Sequence, residues 1–133
     1  MIKEIADKII ELLKSDQALN FDWYFEPPVR AKTFPYGFVD FAGGPSERVV
    51  GSKSLFTYNF YIVTIHRKRS DTDETERNLM DWTEKALNIL RSNFTLDGLV
   101  EDSRIMAVEG DYAFTDQGNL IATRITLQVK VWL

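Results

Sequence analysis

Acid–base chemistry near neutral pH needs a group that titrates there. The chain offers one histidine, His66, inside the stretch IHRKRSDTDETER at residues 65–77. Ser70 and Asp71 are the nearest hydroxyl and carboxylate, but they lie across an expected turn, with no GxSxG elbow or other nucleophile frame beside them. His66 is therefore expected to close a strand in solvent. A hydrolase built on it would have to lose its activity in His66→Ala. Arg67, Lys68 and Arg69 follow at once, then Asp71, Asp73, Glu74 and Glu76. With Arg77 the two signs cancel, so the stretch has no net charge to hold nucleic acid.

The acidic run lacks the central Gly and terminal Glu of a calcium loop, and one His with no Cys leaves only carboxylates as metal ligands. It reads instead as a helix start. Asp71 and Glu74 have capping-box-like spacing, and acidic residues in a first turn favour the helix dipole by about 0.3–1 kcal/mol each. The three basic residues are either a solvated strand end or a contact for phosphate or an acidic partner through charge-assisted hydrogen bonds. GGPSER at residues 43–48 lacks the GxxxxGK[ST] spacing and no helix follows it, so it reads as a turn between strands.

The 133 residues show no composition break, which fits a single α+β domain spanning 1–133. The absence of Cys removes disulfides, thiolate metal sites and thiol nucleophiles together, and a reducing cytosol is the easiest birthplace. MIKEIADKIIELLK breaks its apolar residues with charge every two or three positions, so neither a signal peptide nor a membrane span is expected. A net charge of -4 and a pI near 5.0 argue against coating DNA. Asn93-Phe94-Thr95 matches a glycosylation sequon by chance, at the end of an apolar-faced helix.

Helical periodicity runs through Ile2, Ile5, Ala6, Ile9, Leu12 and Leu13, predicting a helix over residues 2–14. Residues 15–32 have no period, contain Pro27-Pro28 and carry Phe21, Trp23, Tyr24 and Phe25, so they read as a connection with aromatic anchors. FPYGFVDF at 34–41 is a strand that GGPS should end, and LFTYNFYIVTIH at 55–66 is the strongest strand signal. From Thr72 the period is helical again, through Leu79, Trp82, Ala86, Leu87 and Leu90. Two strands follow, at about 100–114 and 120–133, joined by TDQGN, whose Gly118-Asn119 suits a tight hairpin. The last strand alternates, with Ile121, Thr123, Ile125, Leu127, Val129, Val131 and Leu133 on one face.

The expected architecture is α+β: a four-stranded, mostly antiparallel sheet with two helices packed on one face, in the order α-β-β-α-β-β. Both faces of residues 55–65 are apolar, and Trp132 sits on the otherwise polar face of the last strand, so something more must cover that surface. The aromatic connection could do so within the monomer, or a neighbouring subunit could.

Three stretches carry a family resemblance: FPYGFVDFAGG, then SKSLFTYNFYIVTIHRKR leading into the second helix, and VEGDYAFTDQGNLIATRITLQVKVWL with its D-x-x-G-like turn at Asp116–Asn119. They resemble the minor-capsid or tail-completion proteins of tailed bacteriophages and prophages, of the tail-terminator type. The resemblance implies a structural virion protein, commonly a hexameric ring, that caps the tail tube and offers a surface to the head or neck. It brings no enzyme activity and no cofactor. Its implied partners are further copies of itself, the tail tube protein and a head–tail connector or neck protein, with no membrane and no sequence-specific nucleic acid. Its implied place is the tail or neck of a virion, after synthesis in the host cytoplasm.

The family supplies no contact residues, so the candidate assembly contacts come from the residues themselves: Arg48, Lys53, Tyr58, Arg67, Lys68, Arg69 and Trp132. The rival readings are a related head–tail neck protein and a monomeric binding module with an aromatic pocket. The binding module predicts ligand quenching of Trp23 or Trp82 fluorescence with no change of mass.

Overall fold

A computed structural model describes residues 1–28, 33–67, 74–115 and 118–133. The first helix, α1 (Ile2–Lys14), follows the expected periodicity: Ile5, Ala6, Ile9 and Leu13 are buried along one stripe. Burying each of the larger three contributes about 1.5–3 kcal/mol. The Met1 amino group reaches Glu4 at its start, and a 3-10 turn, Gln17–Leu19, follows its end. Asp16 caps that turn, accepting a 2.8 Å bond from the Ala18 N–H, and Leu19 is driven fully into the core.

The sheet corrects the four-stranded expectation. Among the described residues it has five strands, β1 (Asp22–Tyr24), β2 (Tyr36–Val50), β3 (Lys53–Arg67), β4 (Asp102–Thr115) and β5 (Gly118–Trp132), in the order β1-β2-β3-β5-β4, and is mixed: β1 runs parallel to β2, and the other pairs are antiparallel. The strand missing from the α-β-β-α-β-β order lies in the aromatic connection. Its three residues pair with Tyr36–Phe38, and the Trp23 indole donates to the Leu19 carbonyl at 2.9 Å. Gly37 opposite Trp23 is required by space, because a Cβ there would sit 2.5 Å from the indole ring.

GGPS does not end β2 either. The strand continues through it with register shifts at Gly43 and Ser46, and Gly43 and Gly44 take positive φ of 143° and 108°. Bulges use the same residues as turns, so GGPS alone does not distinguish the two. The true hairpin turn is Gly51-Ser52, between β2 and β3 (Lys53–Arg67). The second helix, α2 (Glu74–Ser92), ends where the Asn93 side-chain amide donates to the Ile89 carbonyl at 2.8 Å. The β4 (Asp102–Thr115) and β5 (Gly118–Trp132) pair is a second long hairpin. Gly118 and Asn119 already belong to β5, while Asp116 and Gln117 lie outside the described residues.

Both helices pack on one face of the sheet. There Val39, Phe60, Ile62, Leu127 and Val129 join Ile5, Ile9, Leu13 and Leu90 in the main core. On the opposite face Tyr36, Phe38 and Val63 form a smaller cluster, against which Tyr24, Phe34, Tyr61 and Ile65 pack. The aromatic connection thus divides its anchors: Phe21 and Trp23 join the helix side, Tyr24 covers the outer face, and Phe25 stays half exposed.

Candidate functional site

His66 is not a solvated strand end. It lies on the helix side of β3, 3 % exposed, with its ring stacked on Trp82 of α2 at 4.5 Å between centroids. Burial holds its pKa down at about 4, so the ring is neutral near pH 7. Thr64, two residues earlier on the same face, is buried beside it, and Thr123 is buried opposite Thr64. Neither His66 Nε2 nor Thr64 Oγ1 has a hydrogen-bond partner among the described residues. A catalytic base needs access to a substrate proton. This imidazole is packed as an aromatic plate.

The candidate assembly contacts scatter. Arg67 projects at the exposed end of β3, with its guanidinium 4.5 Å above the Phe34 ring. Lys68 and Arg69, like Ser70, Asp71 and Asp73, lie outside the described residues. Tyr58 is 6 % exposed inside the helix-side core, stacked on Phe56, so it cannot serve as a surface contact without leaving that core. Arg48, Lys53 and Trp132 are exposed and gather at the Gly51-Ser52 end of the sheet, where Arg48 pairs with Leu55 and Leu55 with Trp132.

That end also carries exposed apolar side chains. Val49 and Val50 are 68 % and 50 % exposed at the tip of the β2–β3 hairpin, flanked by the cations of Arg48 and Lys53. The nearby Glu47 carboxylate accepts a 2.7 Å bond from the Ser54 hydroxyl. Two adjacent valines beside Gly51-Ser52 are the sequence signal for this exposed tip, masked by the stronger turn composition of GGPS.

Two of the hollows among the described residues bear on function. One, of about 500 Å³, lies on the outer face between Asp40, Tyr61, Glu109 and Arg124. Arg124 fills part of it, 3.0 Å from the Glu109 carboxylate and 4.5 Å above the Tyr61 ring. The other, of about 380 Å³, is a groove between α2 and the β4 edge. It opens because α2 does not extend over the whole of β4, where Gly110 supplies no side chain. Leu79, Thr83 and Leu87 form its helix wall. Met80 and Val108, 70 % and 45 % exposed, stand at its mouth. Glu84 lines it from α2, whereas Glu109 and Asp111 border it from β4 with side chains that the strand alternation turns to the outer face, and none of the described residues lining it is Lys or Arg. Among the described residues no three His, Asp or Glu side chains are grouped to hold a metal ion.

No family model matches the chain, and no curated protein does. The fold itself has a solved counterpart. A chain described as "Virion of native gene transfer agent (GTA) particle" superposes with a TM-score of 0.50 at 8 % identity. The superposition covers 94 % of this chain and 92 % of that one.

Proposed function

We propose that the chain is a structural, non-enzymatic virion protein of a phage-like particle, a tail-terminator-like subunit. In this reading its copies form a ring that caps the tail tube and joins it to the head or neck. The observation that carries the reading is the end-to-end correspondence of fold with a chain of a gene transfer agent virion. The superposition takes in 94 % of this chain and 92 % of that one, so the likeness is of the whole fold. The exposed apolar residues support the assembly part. Val49, Val50, Met80, Phe94, Met106, Val108 and Trp132 are exposed apolar side chains of the kind that interfaces cover.

Native mass spectrometry of the purified protein, followed by negative-stain imaging with tail tubes, tests the reading. A closed multimer seated on tube ends is the expected result. A strict monomer that ignores tubes would overturn it. The outer-face hollow beside Tyr61 favours a second reading, a monomeric binding module. Saturable ligand binding at that hollow with no change of mass would select it.

A further inference from the structure

Independently of the ring reading, we infer that two free copies pair through the outer faces of their sheets about a two-fold axis, the hairpin end of each lying on the outer-face hollow of the other. Strand register sorts the side chains. Arg48 pairs with Leu55 and Leu55 with Trp132, while Val50 pairs with Lys53, so these five share the outer face, with Lys130 two residues further in on β5. Glu47 and Val49 alternate with them and turn to the helix side. The hairpin end of the outer face is therefore an apolar patch of Val50, Leu55 and Trp132 among three cations, with Asp102 beside Lys130.

At the other end of the same face, Val63, Ile65 and Ala122 give the hollow an apolar floor. Asp40, Glu109 and Asp111 stand around it, and register puts all three on this face: Asp40 beside Tyr61, Glu109 beside Arg124 and Asp111 beside Ala122. Among the described residues lining the hollow the charge is -2, three carboxylates against the Arg124 guanidinium, which is held 3.0 Å from Glu109.

A face that carries both a patch and its complement matches a copy of itself turned through half a turn. The two ends lie about 30 Å apart along β3, from Leu55 to Ile65 at about 3.3 Å per residue. The turned copy sets its hairpin end over the first copy's hollow and receives the first copy's hairpin end in return. Trp132, 39 % exposed, is the aromatic anchor, and the hollow of about 500 Å³ is the space it enters. Arg48 and Lys53 then meet Asp40 and Asp111, and these opposite charges set the register. Side chains at the axis meet their own counterparts, where like charges would repel. Asn59, Tyr61, Thr126 and Gln128 occupy that place on the central strands, and none is charged. Such a contact closes at two copies, so it is separate from any that would build a ring.

The test uses two charge-reversed variants of the full chain, Arg48→Glu with Lys53→Glu at the hairpin end, and Asp40→Lys with Asp111→Lys at the hollow. Circular dichroism and thermal midpoints establish that each folds as the wild type does. By native mass spectrometry the wild type should run as a dimer. Each variant alone should be monomeric at the same concentration, its dimer dissociation constant raised about a hundredfold or more, because a reversal acts twice in a two-fold contact. Mixed in equal amounts, the variants should form a heterodimer and nothing larger, since the reversed hairpin end meets the reversed hollow and the two unaltered halves meet each other.

A wild type that stays monomeric would overturn the inference. So would a folded variant that pairs like the wild type, or two monomeric variants that fail to combine. Rings formed by the wild type and by both variants, with no dimer, would overturn it and leave the ring reading standing. The expected dimers, if they never seat on tail tubes, would uphold it and count against the ring reading alone.

Discussion

At the scale of single residues, His66 carries the clearest prediction. Its pKa is about 4 in the folded chain against 6.5 for the free side chain. Between those values the unfolded chain binds the proton and the native chain does not. Stability therefore falls as pH drops from about 6.5 towards 4 and levels off below, by about 3 kcal/mol in total. Urea titrations across that range should show the loss, and His66→Phe, which keeps a ring against Trp82, should flatten this part of the pH dependence. The sequence made this residue look solvated because it precedes a charged run. What buries it is Trp82, sixteen positions away and brought over by α2. Burial of that kind is a tertiary property, invisible to local pattern.

At the scale of elements, legibility followed the length of the repeating pattern. The thirteen residues of α1 contain more than three turns, enough for the apolar stripe to place both ends. The strict alternation of β5 likewise showed which residues face inward: Ile121, Thr123, Ile125, Leu127, Val129 and Val131 are all buried, with Arg124, Thr126, Gln128 and Lys130 partly exposed between them. A three-residue strand has no period to read. β1 exists through its parallel pairing with Tyr36–Phe38 and through the space Gly37 leaves for Trp23. Gly37→Ala should therefore expel the indole, cost about 1–3 kcal/mol as overpacking does, and shift Trp23 emission to the red while α1 keeps its helicity. Fluorescence and far-ultraviolet circular dichroism on one sample would check both halves of that expectation. The candidate assembly residues fared as their elements did. Arg48, Lys53 and Trp132 share a sheet end because three strands finish there, whereas Tyr58 faces inward by the two-residue alternation of β3.

At the scale of the whole molecule, the net charge of -4 is less informative than its arrangement. Arg48 and Lys53 flank the exposed valines of the tip, whereas the Glu109 carboxylate on the outer face is met within the chain by Arg124. If Arg48 and Lys53 are assembly contacts in the ring reading, salt should act mainly on how fast copies meet. Stopped-flow dilution into rising sodium chloride should slow the association rate steeply and alter dissociation little.

The bulges of β2 have a consequence for growth. Beyond the three residues that β1 covers, β2 is an open edge, and an open edge ordinarily recruits further strands without limit, giving fibres. Here its row of donors is broken twice, at Gly43 and Ser46, and Pro45 between them has no N–H to offer. The β4 edge is broken as well, at Met106. Neither border suits an endless ribbon, so edge-to-edge growth of these molecules into filaments is disfavoured.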